Sequence, residues 1–200
     1  MKDQKDFWGP KLWKLIHTIS YYAPTQLSDI QKKNYYYFYT FLIPRCIMCL
    51  KCQLHYRRMM EKFQFDGSTR DELIDYSIEL HNRVNRRLRK QQLTRTDVDQ
   101  IYRNKSVYIK EIYDLIIWYK GNVQYGSFTK NNFQLLLIYL TKLLPYINIT
   151  GGESEKENLK QNADDIRIDK MENNFQDNWK HPTNKKLNDK KINDRKIINI

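Results

Sequence analysis

Glycine and proline are scarce, six and five in 200 residues, and no Gly-x-Gly occurs anywhere. A loop that cradles phosphates needs closely spaced glycines for its turn and for close backbone approach, so a Rossmann dinucleotide turn and a P-loop are excluded. Cysteine is nearly as rare: the three present all fall between Cys46 and Cys52, which is not the framework of a secreted disulfide scaffold. The most apolar stretch, Phe133 to Ile149, carries Lys142 and Pro145 and stops short of the roughly 20 residues a spanning helix needs. Met1-Lys2-Asp3-Gln4-Lys5-Asp6 leads directly into an aromatic helix start and does not read as a secretory signal. The expectation is a soluble, intracellular chain with one concentrated sulfur site.

What is present is enough for a core. The chain has 24.5 kDa of mass and 40% hydrophobic residues, which excludes wholesale disorder and allows one domain plus an extension. Helix signals dominate. Pro10 suits the N1 position of a helix carrying Leu12, Trp13, Leu15, Ile16 and Ile19 and ending near Ala23-Pro24. Ser28 caps a second helix through Ile30, Tyr35, Phe38, Tyr39 and Leu42, which Pro44 is expected to stop. A third is expected from Cys46 to Lys62, holding every cysteine. Thr69-Arg70-Asp71-Glu72 reads as a capping box for a fourth helix reaching Leu88, and Thr94 to Asp97 caps a short fifth ending near Arg103.

Two more helices, Val107 to Tyr119 and Phe128 to Leu144, flank a turn at Gly121–Gly126. After position 150 the chain turns polar, with 11 basic and 10 acidic residues, and is expected to be a mostly disordered tail. The net charge of +12 therefore lies almost wholly in residues 1–150. The sequons Asn104-x-Ser106 and Asn148-x-Thr150 carry no weight without a secretory signal. The organisation expected is all-α: residues 1–104, a helical extension over 105–147, and a tail over 148–200.

Cys46, Cys49, Cys52 and His55 recur every three residues. On a helix, positions i and i+3 have Cα atoms ~5 Å apart, within disulfide range, so a Cys-x-x-Cys pair opens and closes with little backbone movement. Amide N–H groups at a helix N-terminus also stabilise a thiolate. Redox chemistry is one reading. A metal site is a second, but nine residues of continuous helix turn through about 900°, placing Cys46 and His55 on opposite sides. Three buried structural thiols are the third. Spacing alone leaves all three open.

Trp13 and His17 share a face at i and i+4, while His81, Val84, Asn85 and Leu88 form a stripe with Asn82 at its flank. A tryptophan, two histidines and two asparagines are costly to bury without polar partners, and a planar ligand rich in heteroatoms between the helices would satisfy them.

Taken in order, Trp8-Gly9-Pro10-x-x-Trp13-x-x-x-His17, Cys49-x-x-Cys52-x-x-His55-Tyr56 and His81-Asn82-x-Val84-Asn85-x-x-Leu88-x-Lys90 resemble the Erv/ALR family of FAD-linked sulfhydryl oxidases, above all the compact members of large DNA viruses. The resemblance covers about residues 6–104. It implies a four-helix bundle with a short fifth helix, FAD as cofactor, and Cys49 and Cys52 as the redox pair. Cys52 would be the charge-transfer thiolate beside the flavin and Cys49 the interchange thiol. Trp13, His17, His81, Asn82, Val84, Asn85 and Lys90 would line the cofactor, with Trp8 and Gly9 near its entrance and Tyr22 and His55 as further candidates. Lys90 also reads as a solvated cation at a helix end.

The resemblance further implies a protein dithiol substrate, such as a thioredoxin-like protein, O2 as electron acceptor with H2O2 as product, a homodimer, and a place in the host cytoplasm or virion rather than the mitochondrial intermembrane space. Formation of disulfides in virion proteins is the role expected, with neither membrane nor nucleic acid as partner. Some departures stand out. Ile78 and Arg95 replace a structural disulfide of many members, Ala23 stands where a Tyr often precedes the Pro, and no second cysteine pair exists to act as a shuttle. Pro44 leaves Cys46-x-x-Cys49 as a competing pair. A non-enzymatic helical scaffold, or a nucleic-acid-binding protein using Arg57, Arg58, Arg83, Arg86, Arg87, Arg89 and Lys90 with a structural Cys/His cluster, is the alternative.

Overall fold

Ser28, Thr69 and Thr94 are each in extended backbone, each accepts the N–H of the residue three further on, and each has its own N–H taken by that residue's side chain, Gln31, Glu72 or Asp97. These reciprocal boxes satisfy donors that a helix start otherwise leaves unpaired, and they begin three of the helices. The computed structural model describes residues 5–103, 109–123 and 128–146, and every regular element among them is helical. In order they form α1 (Lys5–Tyr21), α2 (Asp29–Tyr37), a π-helical turn (Phe38–Leu42), α3 (Ile43–Cys46), α4 (Leu50–Met60), α5 (Arg70–Leu88), α6 (Arg95–Tyr102), α7 (Ile109–Gly121), α8 (Lys130–Leu143) and a 3₁₀ turn (Leu144–Tyr146). Residues 147–200, with the expected tail and Asn148, and Asn104 lie outside the described residues.

Three expected boundaries move. Pro10 lies inside α1 rather than at its first position; so near the helix start it forfeits only one backbone hydrogen bond. Pro44 does not stop the second helix, because one extra residue in the π-helical turn carries the chain through it. In that turn the Ile43 N–H bonds the Phe38 carbonyl five residues back, so the same register would pair Pro44 with the Tyr39 carbonyl. Proline has no N–H to give, and the Tyr56 hydroxyl donates to that carbonyl instead, at 3.0 Å. Finally, the third helix is split. Residues 47–49 are not helical, so Cys46 ends α3, Cys49 caps α4, and only Cys52 lies within it.

One core runs through these elements. Leu15, Ile16 and Ile19 of α1, Tyr35, Phe38, Tyr39, Leu42 and Ile43 of the kinked second arm, and Leu73 and Leu80 of α5 are all buried in it. Tyr119, Phe128, Leu136, Leu140 and Leu143 belong to the same cluster. α1 lies along α5, and α8 packs on α2, the π-helical turn and α3. The α5–α6 joint, at Ile78 and Arg95, is built from packing and charge. Ile74, Ile78 and Val98 form a small separate cluster, while Arg95 reaches Asp71 at 2.7 Å, Asp75 at 2.9 Å and Asp99 at 3.4 Å.

Candidate active site

The break at 47–49 gives the three cysteines three different environments. Cys46 is fully buried and its thiol is pushed well above its ordinary range by burial. Cys49 is half-buried at the N-cap of α4, where its Sγ accepts the Cys52 backbone N–H at 3.3 Å. Cys52 sits one turn inside the helix, also half-buried and packed against the core. Only the downstream pair combines i, i+3 spacing with access from solvent. Among the described residues no group of three or more His, Cys, Asp or Glu is arranged to hold a metal ion.

α1 and α5 bring Trp13, His17 and His81 together, as their i, i+4 and cross-helix placement predicts. The Trp13 and His81 rings stack with centroids 3.9 Å apart and planes 6° from parallel. His17 Nε2 is 2.9 Å from His81 Nδ1, and His17 Nδ1 is 3.1 Å from Ser77 Oγ. Tyr102 of α6 leans on the His17 ring at 6.4 Å. Burial lowers the pKa of His17 to about 4. His81 falls to about 3, through burial first and then the neighbouring His17 and Lys90. Both rings are therefore neutral at physiological pH.

Asn82 and Asn85 are buried but already engaged. The Asn82 amide donates to the Leu93 carbonyl and accepts the Leu93 N–H, both at 2.8 Å, and Asn85 Nδ2 donates to the Gln91 carbonyl at 2.9 Å. The loop after α5 thus gives both amides hydrogen-bond partners within the chain. That loop is turned by Arg89, whose left-handed backbone (φ 55°, ψ 37°) ends α5 and lets the Lys90 N–H reach the Asn85 carbonyl at 2.9 Å. Lys90 itself is exposed, yet its charge acts on His81. Val84 is half-buried and Leu88 exposed, so the expected apolar stripe ends before Leu88.

The other candidates are scattered. Trp8 is five residues from Trp13, about 140° round the helix, and its buried Nε1 has no partner among the described residues. An added Cβ at Gly9 would meet nothing within 4 Å. Tyr22 donates to the Tyr102 carbonyl at 2.8 Å, a structural tie between α1 and α6. His55 lies on α4 with its pKa lowered by partial burial and then by Arg87 and Arg58. A cavity of about 260 Å³ between α1 and α7, lined by Lys11, Lys14, Thr18 and Asp114, includes none of these residues. Sequence reasoning missed Ser77 and Leu93. Nothing in the motifs marks Ser77 beyond its place four residues before His81, on the same helical face.

A sulfur pair at a helix start suits dithiol chemistry, and the stacked, hydrogen-bonded rings on α1 and α5 suit an aromatic cofactor. The same span of chain, residues 10–103, matches the Erv1 / Alr family model. Through that span the chain is similar to the Erv1/Alr family. It is also similar to a probable FAD-linked sulfhydryl oxidase of Acanthamoeba polyphaga mimivirus, 29% identical over 93 residues, which are 44% of this chain and 62% of that protein. Two crystal structures of Saccharomyces cerevisiae and yeast Erv1, a cysteine-to-serine double mutant and the core, match at TM-scores of 0.48 and 0.46. They are 20% and 23% identical, and each match covers 54% of this chain and 90% of the other. No described helix is long and apolar enough to cross a membrane.

Proposed function

We propose that the chain is an FAD-linked sulfhydryl oxidase that forms disulfides in protein dithiols through Cys49 and Cys52. The observation that carries this reading is the division of the cysteines, with Cys46 sealed in the core and Cys49-x-x-Cys52 at the accessible start of α4. The groups around His81 suit FAD: flat aromatic faces, the exposed Lys90 cation for a phosphate, and a His81 Nε2 that no described residue hydrogen-bonds. Trp13, His17, His81 and Lys90 would hold it, with Asn82, Asn85 and Val84 shaping the wall and Trp8, Gly9, Tyr22 and His55 in supporting places. Bound FAD would supply the two-electron acceptor and the route to O2, giving H2O2.

The chain's own part is thiol–disulfide exchange. A substrate thiolate attacks Cys49 Sγ of the Cys49–Cys52 disulfide, forming a mixed disulfide and releasing Cys52 as its thiolate. The second substrate thiol then attacks the substrate sulfur and releases Cys49. The substrate has lost two electrons and the pair has gained them. The surface beside Cys49 favours a protein substrate: Leu50 and Leu54 are 60% and 46% exposed. No acidic residue occurs between Asp29 and Glu61, while Lys51, Arg57 and Arg58 are exposed there. An acidic dithiol partner of thioredoxin-like size fits that face. Residues 1–104 would carry this activity, with 105–147 as their cover and 148–200 as a tail. The viral source of the curated relative supports a role in virion proteins within host cytoplasm, and a homodimer is part of the same proposal.

The test is direct. Purified protein should show flavin absorbance and dithiol-dependent H2O2 production. Cys52→Ser should keep the colour and lose the turnover, whereas full turnover in that variant removes Cys52 from the mechanism. A colourless protein that binds nucleic acid with a steep salt dependence would replace the oxidase by the scaffold reading.

A further inference from the structure

Ser77 is fully buried on α5, one turn before His81, and has a single hydroxyl proton to give. The Ile74 carbonyl lies 2.8 Å from its Oγ and can only accept. The proton is committed there, so Ser77 Oγ faces His17 Nδ1, 3.1 Å away, as an acceptor. His17 must then carry its proton on Nδ1, which leaves Nε2 bare. His81 Nδ1, 2.9 Å from that bare nitrogen, must be the donor between them. Each neutral ring has one proton, so the chain of bonds empties His81 Nε2. One face of the His81 ring is covered by Trp13, and its Nδ1 edge by His17.

We propose that Ser77 is a positioning residue that fixes the tautomers of the His17–His81 pair, so that His81 offers an unprotonated Nε2 to an N–H or O–H of the bound group. The inference rests on the reading of this cluster as the FAD site. The converse polarity, with Ser77 donating to His17, would make His81 Nε2–H a donor and select an acceptor edge instead. A hydroxyl donating to a helix carbonyl three residues back therefore sets which edge of the cofactor the site can recognise. The proton content agrees with the environment, since burial keeps both rings neutral.

Long-range ¹H–¹⁵N correlation on the full chain labelled with ¹⁵N-histidine reads this without any turnover. His55→Gln and His181→Gln remove the other two rings from the spectrum. The two that remain should both be protonated on Nδ1 and bare on Nε2, the minority tautomer of free imidazole side chains, in protein with and without FAD. A protonated Nε2 on His81 in either state overturns the proposal. Ser77→Ala should give mixed tautomers and about tenfold weaker FAD binding, and Ser77→Thr should restore the Nδ1–H pattern. Lower stability in Ser77→Ala with both tautomers unchanged also overturns it. If the protein binds no FAD, the functional reading fails while the nitrogen spectrum still decides the tautomers.

Discussion

At Arg89 a non-glycine side chain stands at φ 55°, where Cβ crowds the following carbonyl. The turn it makes is the hinge of the α5 end. It aligns Lys90 with the Asn85 carbonyl and brings the 91–93 backbone against Asn82 and Asn85. Arg89→Gly should relieve the strain at no cost to these bonds, raising stability by about 1 kcal/mol in urea denaturation with FAD affinity unchanged; no gain would mean the turn is relaxed. Cys46 behaves in the opposite way. Its side chain fills core space, so Cys46→Ala should cost ~1–2 kcal/mol by leaving a small void, yet preserve dithiol oxidation. Loss of turnover in a folded, yellow variant would return the active pair to Cys46 and Cys49. The sequence motifs did not show the partners of the Asn82 and Asn85 amides. Asn82 and Asn85 looked ligand-seeking because the loop that satisfies them, Gln91 to Leu93, has no glycine to announce a helix end.

At the scale of elements, capping boxes were legible because they are local: Ser28, Thr69 and Thr94 each need only a partner three residues on. The π-helical turn was not. One inserted residue shifts the phase by about 100°, and Pro44 looked like an end because the carbonyl it orphans is rescued by Tyr56, a residue 17 positions from Tyr39. This explains a buried tyrosine whose hydroxyl would otherwise be a poor choice for a core. Tyr56→Phe should leave the Tyr39 carbonyl unpaired and cost roughly 1–3 kcal/mol. Pro44→Ala supplies an N–H to the same carbonyl, so the Tyr56→Phe cost should shrink in its background. A double-mutant cycle in urea measures the coupling, and strict additivity would separate the two residues. The aromatic second arm also finds its partner within the chain. Tyr37 and Phe41 meet Tyr139 of α8 at 6.5 and 5.9 Å, and Asn34 donates to Tyr146 at 3.3 Å.

Over the whole molecule, that cover makes residues 109–123 and 128–146 part of the core that holds the cysteines. The Tyr119 hydroxyl reaches the Cys46 carbonyl at 3.4 Å, immediately before the break that frees Cys49. A chain ending at Arg103 should therefore expose the aromatic arm, self-associate in gel filtration and melt earlier than the full chain; an equally stable, monodisperse truncation would assign these helices another purpose. The neutral histidine pair sets a second global property. The folded pKa of His17 is about 4 and that of His81 about 3, below the 6.5 of an unconstrained side chain. Between those values the unfolded chain binds more protons, so stability is complete above pH 6.5 and declines as pH falls toward 4 and then 3. The groups that face the pair are Trp13 on α1, Ser77 on α5, Lys90 beyond it and Tyr102 on α6. None of these is an anion that would hold a proton there. Glu72 and Asp97 are held below ordinary carboxylates, chiefly by N–H donors at their caps. Moving from pH 7.5 to 5 should thus cost the full chain on the order of 2 kcal/mol through His17 alone. His81 adds a similar amount, so His17→Gln should remove about half of the slope, and a slope left intact in the variant would place the proton uptake elsewhere.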